Sequence, residues 1–295
     1  MITPTSNNCA PNGMELETTW RPSPALLREL LDGGQSFAWD EQEDGSWLGQ
    51  WQGHTVHLYP GPGNTLRWAP GGTSAETPNA TLAALRTYLG LDEDWERARD
   101  DLPWRSDPVL ARAMAATPGL RLLRQPLDEV LLGFMCSAQK TIPMIKRMLR
   151  TLAVRFGPGK GQLPGWEALA EAGEAALRDC GLGYRARHIA ATACLLRADP
   201  AMLVGLGGLP YSEAKAKLIQ LPGVGGKIAD CVLLFGAGHP QAFPVDTWIE
   251  RVMHEHYHLH DWPLPQIAHF GQCHFGEHAG LAQQYLFAWA RRGYP

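Results

Sequence analysis

The sequence has no CxxC pair, no long apolar run and little lysine. Its six cysteines, Cys9, Cys136, Cys180, Cys194, Cys231 and Cys273, are scattered over 295 residues. That spacing argues against a zinc ribbon and against a clustered iron–sulfur centre; reduced thiols of an intracellular protein are the expectation. No apolar run reaches the ~18 residues that a membrane span requires. The first residues, Met1 to Asn8, carry neither a basic region nor an apolar core, so no secretory signal is expected. Internal repeats and low-complexity tracts are missing too. Lysine numbers 6 against 20 arginines, a bias that gene base composition can produce and that points to no function.

Nor is there an excess of positive charge. The net charge is −4, which by itself speaks against a polyanion partner. The distribution is more permissive. Residues 1–105 carry 15 acidic and 7 basic side chains, and residues 106–295 carry 15 acidic and 19 basic. The second part can face a polyanion while the first stays away from it.

What is present suits a globular protein with a large core, and the length allows two domains. The composition, 45% hydrophobic and 19% charged, is ordinary for that class. Residues 24–32 read as a helix stopped by Gly33-Gly34. Four short aromatic or alternating runs follow at 36–39, 47–51, 55–59 and 65–68. Asp44-Gly45, Gln52-Gly53 and Pro60–Asn64 separate them, which predicts an antiparallel meander. From about residue 80 onward helical periodicity dominates, with helices at roughly 80–89, 93–99, 107–115, 126–136, 140–156, 165–179, 185–197, 210–220, 226–236, 246–257, 263–275 and 279–292. The expected class is α+β: a small N-terminal antiparallel sheet domain, 1–105, and a mostly helical body, 106–295.

Two segments carry chemistry. Leu221-Pro222-Gly223-Val224-Gly225-Gly226-Lys227 reads as a tight hairpin that opens a helix. Glycine lets successive backbone N–H groups turn toward one phosphate, so Gly223 and Gly225 are candidate backbone contacts. A helix N-terminus disfavours a cation, which favours Lys227 as a neutral, nucleophilic amine. Asp246, in Phe243-Pro244-Val245-Asp246-Thr247-Trp248, stands where an N-cap belongs, and a cap fixes the direction of its carboxylate. An ordinary helix–turn–helix connection explains the hairpin alone about as well.

Together these segments resemble the helix-hairpin-helix glycosylase superfamily of base-excision repair. Five further segments narrow the resemblance to the 8-oxoguanine DNA glycosylase/AP lyase family. They are Gly34–Trp39, Leu122–Pro126, Phe134–Ser137, Gly181–Arg187 and Ala279–Phe287. They stand in family order and, with the hairpin, span nearly the whole chain.

The resemblance implies excision of 8-oxoguanine from duplex DNA with an associated β-elimination lyase activity. Lys227 is the implied nucleophile and Schiff-base former, and Asp246 supports the cationic transition state. The lesion pocket implied is Gly34, whose carbonyl accepts the N7 hydrogen, Gln283, which reads the Watson–Crick edge, and Phe287 with Cys231, which sandwich the base. Gln283 and Phe287 are spaced i,i+4, as are Lys227 and Cys231, so each pair shares a helix face. Without the resemblance, Phe287 and Cys231 would be read as core residues.

The chain departs from the family pattern mainly where DNA surrounds the lesion. Gln139 fills the place of a stack-plugging asparagine within Ala138-Gln139-Lys140-Thr141. Met144 stands where an arginine helps to read the orphaned cytosine. Tyr184 and Arg185 retain the wedge and the second cytosine reader, and Trp248 replaces a phosphate-binding histidine. A weaker preference for cytosine opposite the lesion is therefore expected. Lys140, Lys146, Arg147 and Arg150 form either a DNA-facing or a solvated basic face. Carbonyls of Ile219, Leu221 and Val224 offer a non-catalytic cation site. No cofactor and no iron–sulfur cluster are implied. The expected partner is double-stranded DNA containing 8-oxoguanine, bound by a monomer with no membrane attachment. The expected location is intracellular and DNA-associated, cytoplasm or nucleoid in a bacterium. The competing readings are a glycosylase for another oxidised base on the same scaffold and a non-catalytic DNA-binding module.

Overall fold

The computed structural model describes residues 13–72, 76–159 and 161–294; Cys9 lies outside them. The N-terminal strands are β1 (Met14–Glu15), β2 (Trp39–Glu41), β3 (Trp47–Trp51), β4 (His54–Pro60) and β5 (Leu66–Pro70), with α1 (Pro24–Asp32) between the first two. They form one antiparallel sheet in the order β1-β5-β4-β3-β2. Gln52 and Gly53 both take positive φ, 38° and 84°, as a two-residue hairpin turn matched to strand twist requires. Alternation puts Trp47 and Trp51 on the inner face with Trp39, Leu58 and Trp68. The Trp39 ring lies across its partner Gly49, where an added Cβ would stand 2.6 Å from the indole.

The sheet differs from expectation in two places. The run expected at 36–39 becomes a strand only at Trp39, because Gly34 turns the chain at φ 115° and the Ser36 hydroxyl takes the Ala38 N–H at 3.1 Å. β1 is additional. Its two residues are both exposed, so no alternation marks it.

The body is built from α2 (Pro78–Tyr88), α3 (Trp95–Asp100), α4 (Pro108–Ala116), α5 (Leu127–Ser137), α6 (Ile142–Phe156) and α7 (Trp166–Leu177). It continues with α8 (Arg185–Ala198), α9 (Tyr211–Ile219), α10 (Gly226–Val232), α11 (Thr247–Tyr257), α12 (Leu264–Phe275) and α13 (Ala279–Arg291). Ser23, Thr77, Asp94, Asp107 and Asp246 cap their helices with side-chain oxygens, which satisfies otherwise orphaned N–H groups. The expected helix 165–179 is broken at Gly173, φ 72°. The expected helix 226–236 widens after Val232 into a π-type turn over Leu233–Ala237.

One hydrophobic core runs from Leu16 to Ala290 and joins sheet to helices. Tyr88 of α2 packs on Trp51 of the sheet at 4.6 Å between ring centroids. Lys146 of α6 reaches the same seam. It is only 7% exposed, donates to the Trp39 carbonyl and pairs with Asp32 and Asp40. Arg150 also pairs with Asp40. Lys146 is therefore committed to the seam and does not join the basic face the sequence suggested, whereas Arg150 pairs with Asp40 from an exposed position. Lys140 precedes the helix altogether, and Arg147 and Arg150 of α6 keep an exposed character.

Lys146→Met preserves bulk but takes the Lys146 cation from Asp32, while Asp40 keeps Arg150. It is expected to lower stability by about 1–3 kcal/mol, read as a fall in the urea midpoint. An unchanged midpoint would remove the seam role.

Candidate active site

The loop between α9 and α10 is shaped by its glycines and by what lies beneath. Gly223 has φ +82°, and a Cβ there would meet the His188 Cβ at 2.6 Å; conformation and close approach both demand glycine. The Val224 N–H donates to the Leu221 carbonyl at 3.0 Å. Thr192 of α8 donates to the Pro222 carbonyl at 3.0 Å and anchors the turn. At Gly225 and Gly226 a Cβ would meet nothing, so this stretch of backbone faces open space. Underneath, Asp230 is 2% exposed and accepts from Tyr211 at 2.5 Å and Lys215 at 2.8 Å. That network holds α9 against α10. Burial pushes the Asp230 carboxyl up from its ordinary value, with Lys215 opposing.

Lys227, the second residue of α10, extends across to α5. Its Nζ donates to the Ser137 hydroxyl at 3.4 Å and stands 4.9 Å from the centre of the Phe134 ring, a cation–π arrangement. Asp246 caps α11, its Oδ1 accepting the N–H groups of Trp248 at 3.1 Å and Ile249 at 2.9 Å. Burial raises the Asp246 carboxyl above its ordinary value; the Ile249 N–H and the Lys227 charge work against that rise.

Both side chains open into one cavity of about 830 Å³, within the ~300–1,000 Å³ usual for ligand sites. Gly34, Phe287, Gln139, Lys140, Gly225 and Trp248 line it as well. Gly34 arrives there because Gln35 is clipped to the segment before α5. The Gln35 amide donates to the Arg121 carbonyl at 2.9 Å and accepts the Leu123 N–H at 2.9 Å, while its carbonyl accepts from Gln125 at 2.7 Å. Phe287 faces Gly34, since a Cβ built there would lie 3.6 Å from its ring. Arg291 closes this corner over the Phe287 ring at 5.4 Å and donates to the Gly33 carbonyl.

The other residues singled out in the sequence have varied surroundings. Cys231 and Gln283 are buried, at 3% each, and Cys231 lies near enough to Lys227 to feel its charge. Burial pushes the Cys231 thiol up to about 12, so it is protonated. The Gln283 amide donates to the Pro244 carbonyl at 3.0 Å and accepts from Gln284 at 2.6 Å. Gln139 is exposed with φ 52°, a left-handed conformation uncommon for a side chain of its length. Met144 borders an adjoining depression with Lys140 and Arg147. Tyr184 is half exposed, whereas Arg185 is 5% exposed and donates to the carbonyls of Ala138 and Leu182. Arg251 lies over the Trp248 indole at 4.8 Å. In the turn, Leu221 and Val224 are buried and Ile219 is exposed.

Three contributors were not identified from sequence. Phe134 and Ser137 stood inside a matched segment, and their i,i+3 spacing places them on one helix face; no local signal aimed that face at Lys227. Arg291 had no signal. Among the described residues, no group of three or more His, Cys, Asp or Glu side chains is arranged to hold a metal. No helix among them is long and apolar enough to cross a membrane.

Two family models match. One, the 8-oxoguanine DNA glycosylase N-terminal domain, covers residues 21–131, and the other, the HhH-GPD superfamily base excision DNA repair protein, covers residues 132–269. The N-glycosylase/DNA lyase OGG1 of Arabidopsis thaliana is 31% identical over 278 residues, 86% of this chain and 74% of that protein. The N-glycosylase/DNA lyase of Saccharomyces cerevisiae is 28% identical over 264 residues, 80% of this chain and 69% of that protein. Among solved structures, the Clostridium acetobutylicum 8-oxoguanine glycosylase/lyase, in complex with double-stranded DNA bearing cytosine opposite 8-oxoG, superposes with a TM-score of 0.82 at 30% identity. The match covers 91% of this chain and 92% of that one.

Proposed function

The chain belongs to the 8-oxoguanine DNA glycosylase family of helix-hairpin-helix proteins, and on that premise we propose how its own residues divide the reaction. The protein is a base-excision repair enzyme, a bifunctional N-glycosylase/DNA lyase acting on 8-oxoguanine in double-stranded DNA. The observation that carries the residue assignment is the convergence of Lys227, Asp246, Gly34 and Phe287 on one cavity.

The target nucleotide leaves the duplex to reach this cavity. The Lys227 amine attacks the anomeric carbon, and the glycosidic bond breaks as the base departs with its electron pair. The resulting aminal opens to a Schiff base, which only an amine can form. Loss of a sugar proton then expels the 3′ phosphate by β-elimination. Asp246, aimed by its two cap bonds, stabilises the cationic sugar as it develops. Ser137 and the Phe134 face position the Lys227 side chain. The Gly34 carbonyl takes the N7 hydrogen that distinguishes 8-oxoguanine from guanine, and Phe287 stacks on the base. Gln283 reads the Watson–Crick edge after exchanging its present partner, and Cys231 backs the pocket as a neutral thiol.

Around the lesion, Gly223 and Gly225 contact a phosphate through backbone N–H groups, with carbonyls of Ile219, Leu221 and Val224 available to a cation. Lys140 meets the backbone, Trp248 donates one hydrogen bond, Gln139 fills the vacated stack, and Tyr184 wedges beside it. Met144 offers no base-reading donor, and Arg185 must leave two carbonyls to read cytosine. The sheet domain, 1–105, supplies Gly34 to a helical catalytic body, 106–295. The enzyme works as a monomer in the cell's DNA compartment, without a cofactor.

Borohydride trapping on a duplex with one 8-oxoguanine is expected to give a covalent adduct with wild type and none with Lys227→Gln; an adduct in the variant would eliminate the assignment. Asp246 acts as a carboxylate and its acidity is weakened by burial, so activity is lost as pH falls through a value above its ordinary 3.8. The kcat/KM–pH profile should show that acid limb, and Asp246→Asn should lower the rate and lack the limb. Excision rates opposite the four bases should discriminate less than in relatives with two cytosine-reading arginines, by on the order of 1–3 kcal/mol. An equally steep cytosine preference would contradict the Met144 reading.

A further inference from the structure

A second cavity lies at the seam between the sheet and α5–α6, behind the wall of the catalytic one. It measures about 280 Å³ and is lined by Phe37, Phe134, Val130, Leu149, Leu163 and Glu129, among others. Phe37 and Phe134 line both cavities. Their rings meet edge to face, 5.4 Å between centroids, and form the partition. Lys227 rests against Phe134, and Gln125, also in the seam cavity's lining, bonds to the carbonyl of Gln35 beside Gly34. An occupant thus reaches the nucleophile through one ring and the lesion-reading glycine through one amide.

The lining defines the occupant. Two aromatic rings opposite aliphatic side chains suit a flat apolar body. The volume, just below the ~300–1,000 Å³ of ordinary small-molecule sites, admits a fused ring pair without a sugar and phosphate. Of the cationic side chains in the lining, Lys146 is buried against Asp32 and Asp40, and Arg150 pairs with Asp40 from an exposed position. Glu129 is different. Its Oε1 accepts the Gln52 N–H at 2.8 Å, and a single such bond leaves acceptor capacity on the carboxylate. Burial pushes this carboxyl up to about 7, with the Gln52 N–H opposing. A ligand with an N–H edge can use the remaining acceptor capacity.

We infer that the seam cavity is an effector site for a free aminopurine-type heterocycle, which stacks on the Phe37–Phe134 partition, donates to Glu129 and alters Lys227 reactivity. The inference rests on the Lys227 assignment above for its readout, not for its binding step.

The probe is 2,6-diaminopurine, added to the full-length enzyme in calorimetry and in single-turnover borohydride trapping. Wild type should bind it saturably, and its trapping rate should change by ~5-fold or more, the lower end of typical coupling between sites. Val154 stands at the cavity rim and is 84% exposed, so Val154→Trp can block the entrance without disturbing the core. Val154→Trp and Glu129→Gln should each keep the ligand-free trapping rate and lose both binding and rate change. Absence of saturable binding overturns the proposal. So does binding without a rate change, or binding that survives in both variants but disappears in Phe287→Ala, which would locate it in the catalytic cavity. Failure of the ligand-free enzyme to form any adduct would instead count against Lys227 itself, while calorimetry with the two variants would still decide the seam site.

Discussion

Burial of α5 on every side is the constraint from which the active site follows. Val130 to Cys136 are seven consecutive buried residues, so this stretch of the helix presents no solvent face and must be enclosed. α6, α8, α10 and the π-type turn after α10 supply that enclosure. Enclosing α5 brings the start of α10 over its C-terminal turn, where Phe134 and Ser137 receive the Lys227 side chain. The same helix accepts Phe37 from the N-terminal part. Lys227, the partition and the N-terminal sheet are therefore positioned by one packing requirement.

Polar groups in this region serve the geometry of that packing. Gln35 satisfies backbone groups of the segment leading into α5 and thereby delivers Gly34. Asp230 draws Tyr211 and Lys215 into a buried network that fixes the angle between α9 and α10. Such a network costs desolvation and adds little net stability; its effect here is to keep the amine pointing across the cavity. Asp246 spends one oxygen on two N–H groups of α11, so its carboxylate keeps its direction although burial disfavours its charge.

Two polar side chains of this region are held in partnership with the protein itself. Gln283 holds the Pro244 carbonyl and Arg185 holds Ala138 and Leu182.

By itself the sequence determined the α+β class and nearly all helix positions, because period, caps and glycine turns are local properties of the chain. Gly223 and Gln52-Gly53 were legible for the same reason: only certain residues fit a left-handed turn. Tertiary structure alone decided that Lys146 and Arg150 pair with acids at the seam, that Cys231 and Gln283 are buried, and that Lys227 rests against Phe134. A helical basic residue has the same periodicity whether it meets a phosphate or an aspartate. Which of these it meets depends on packing between segments more than a hundred residues apart, and no local pattern encodes that distance.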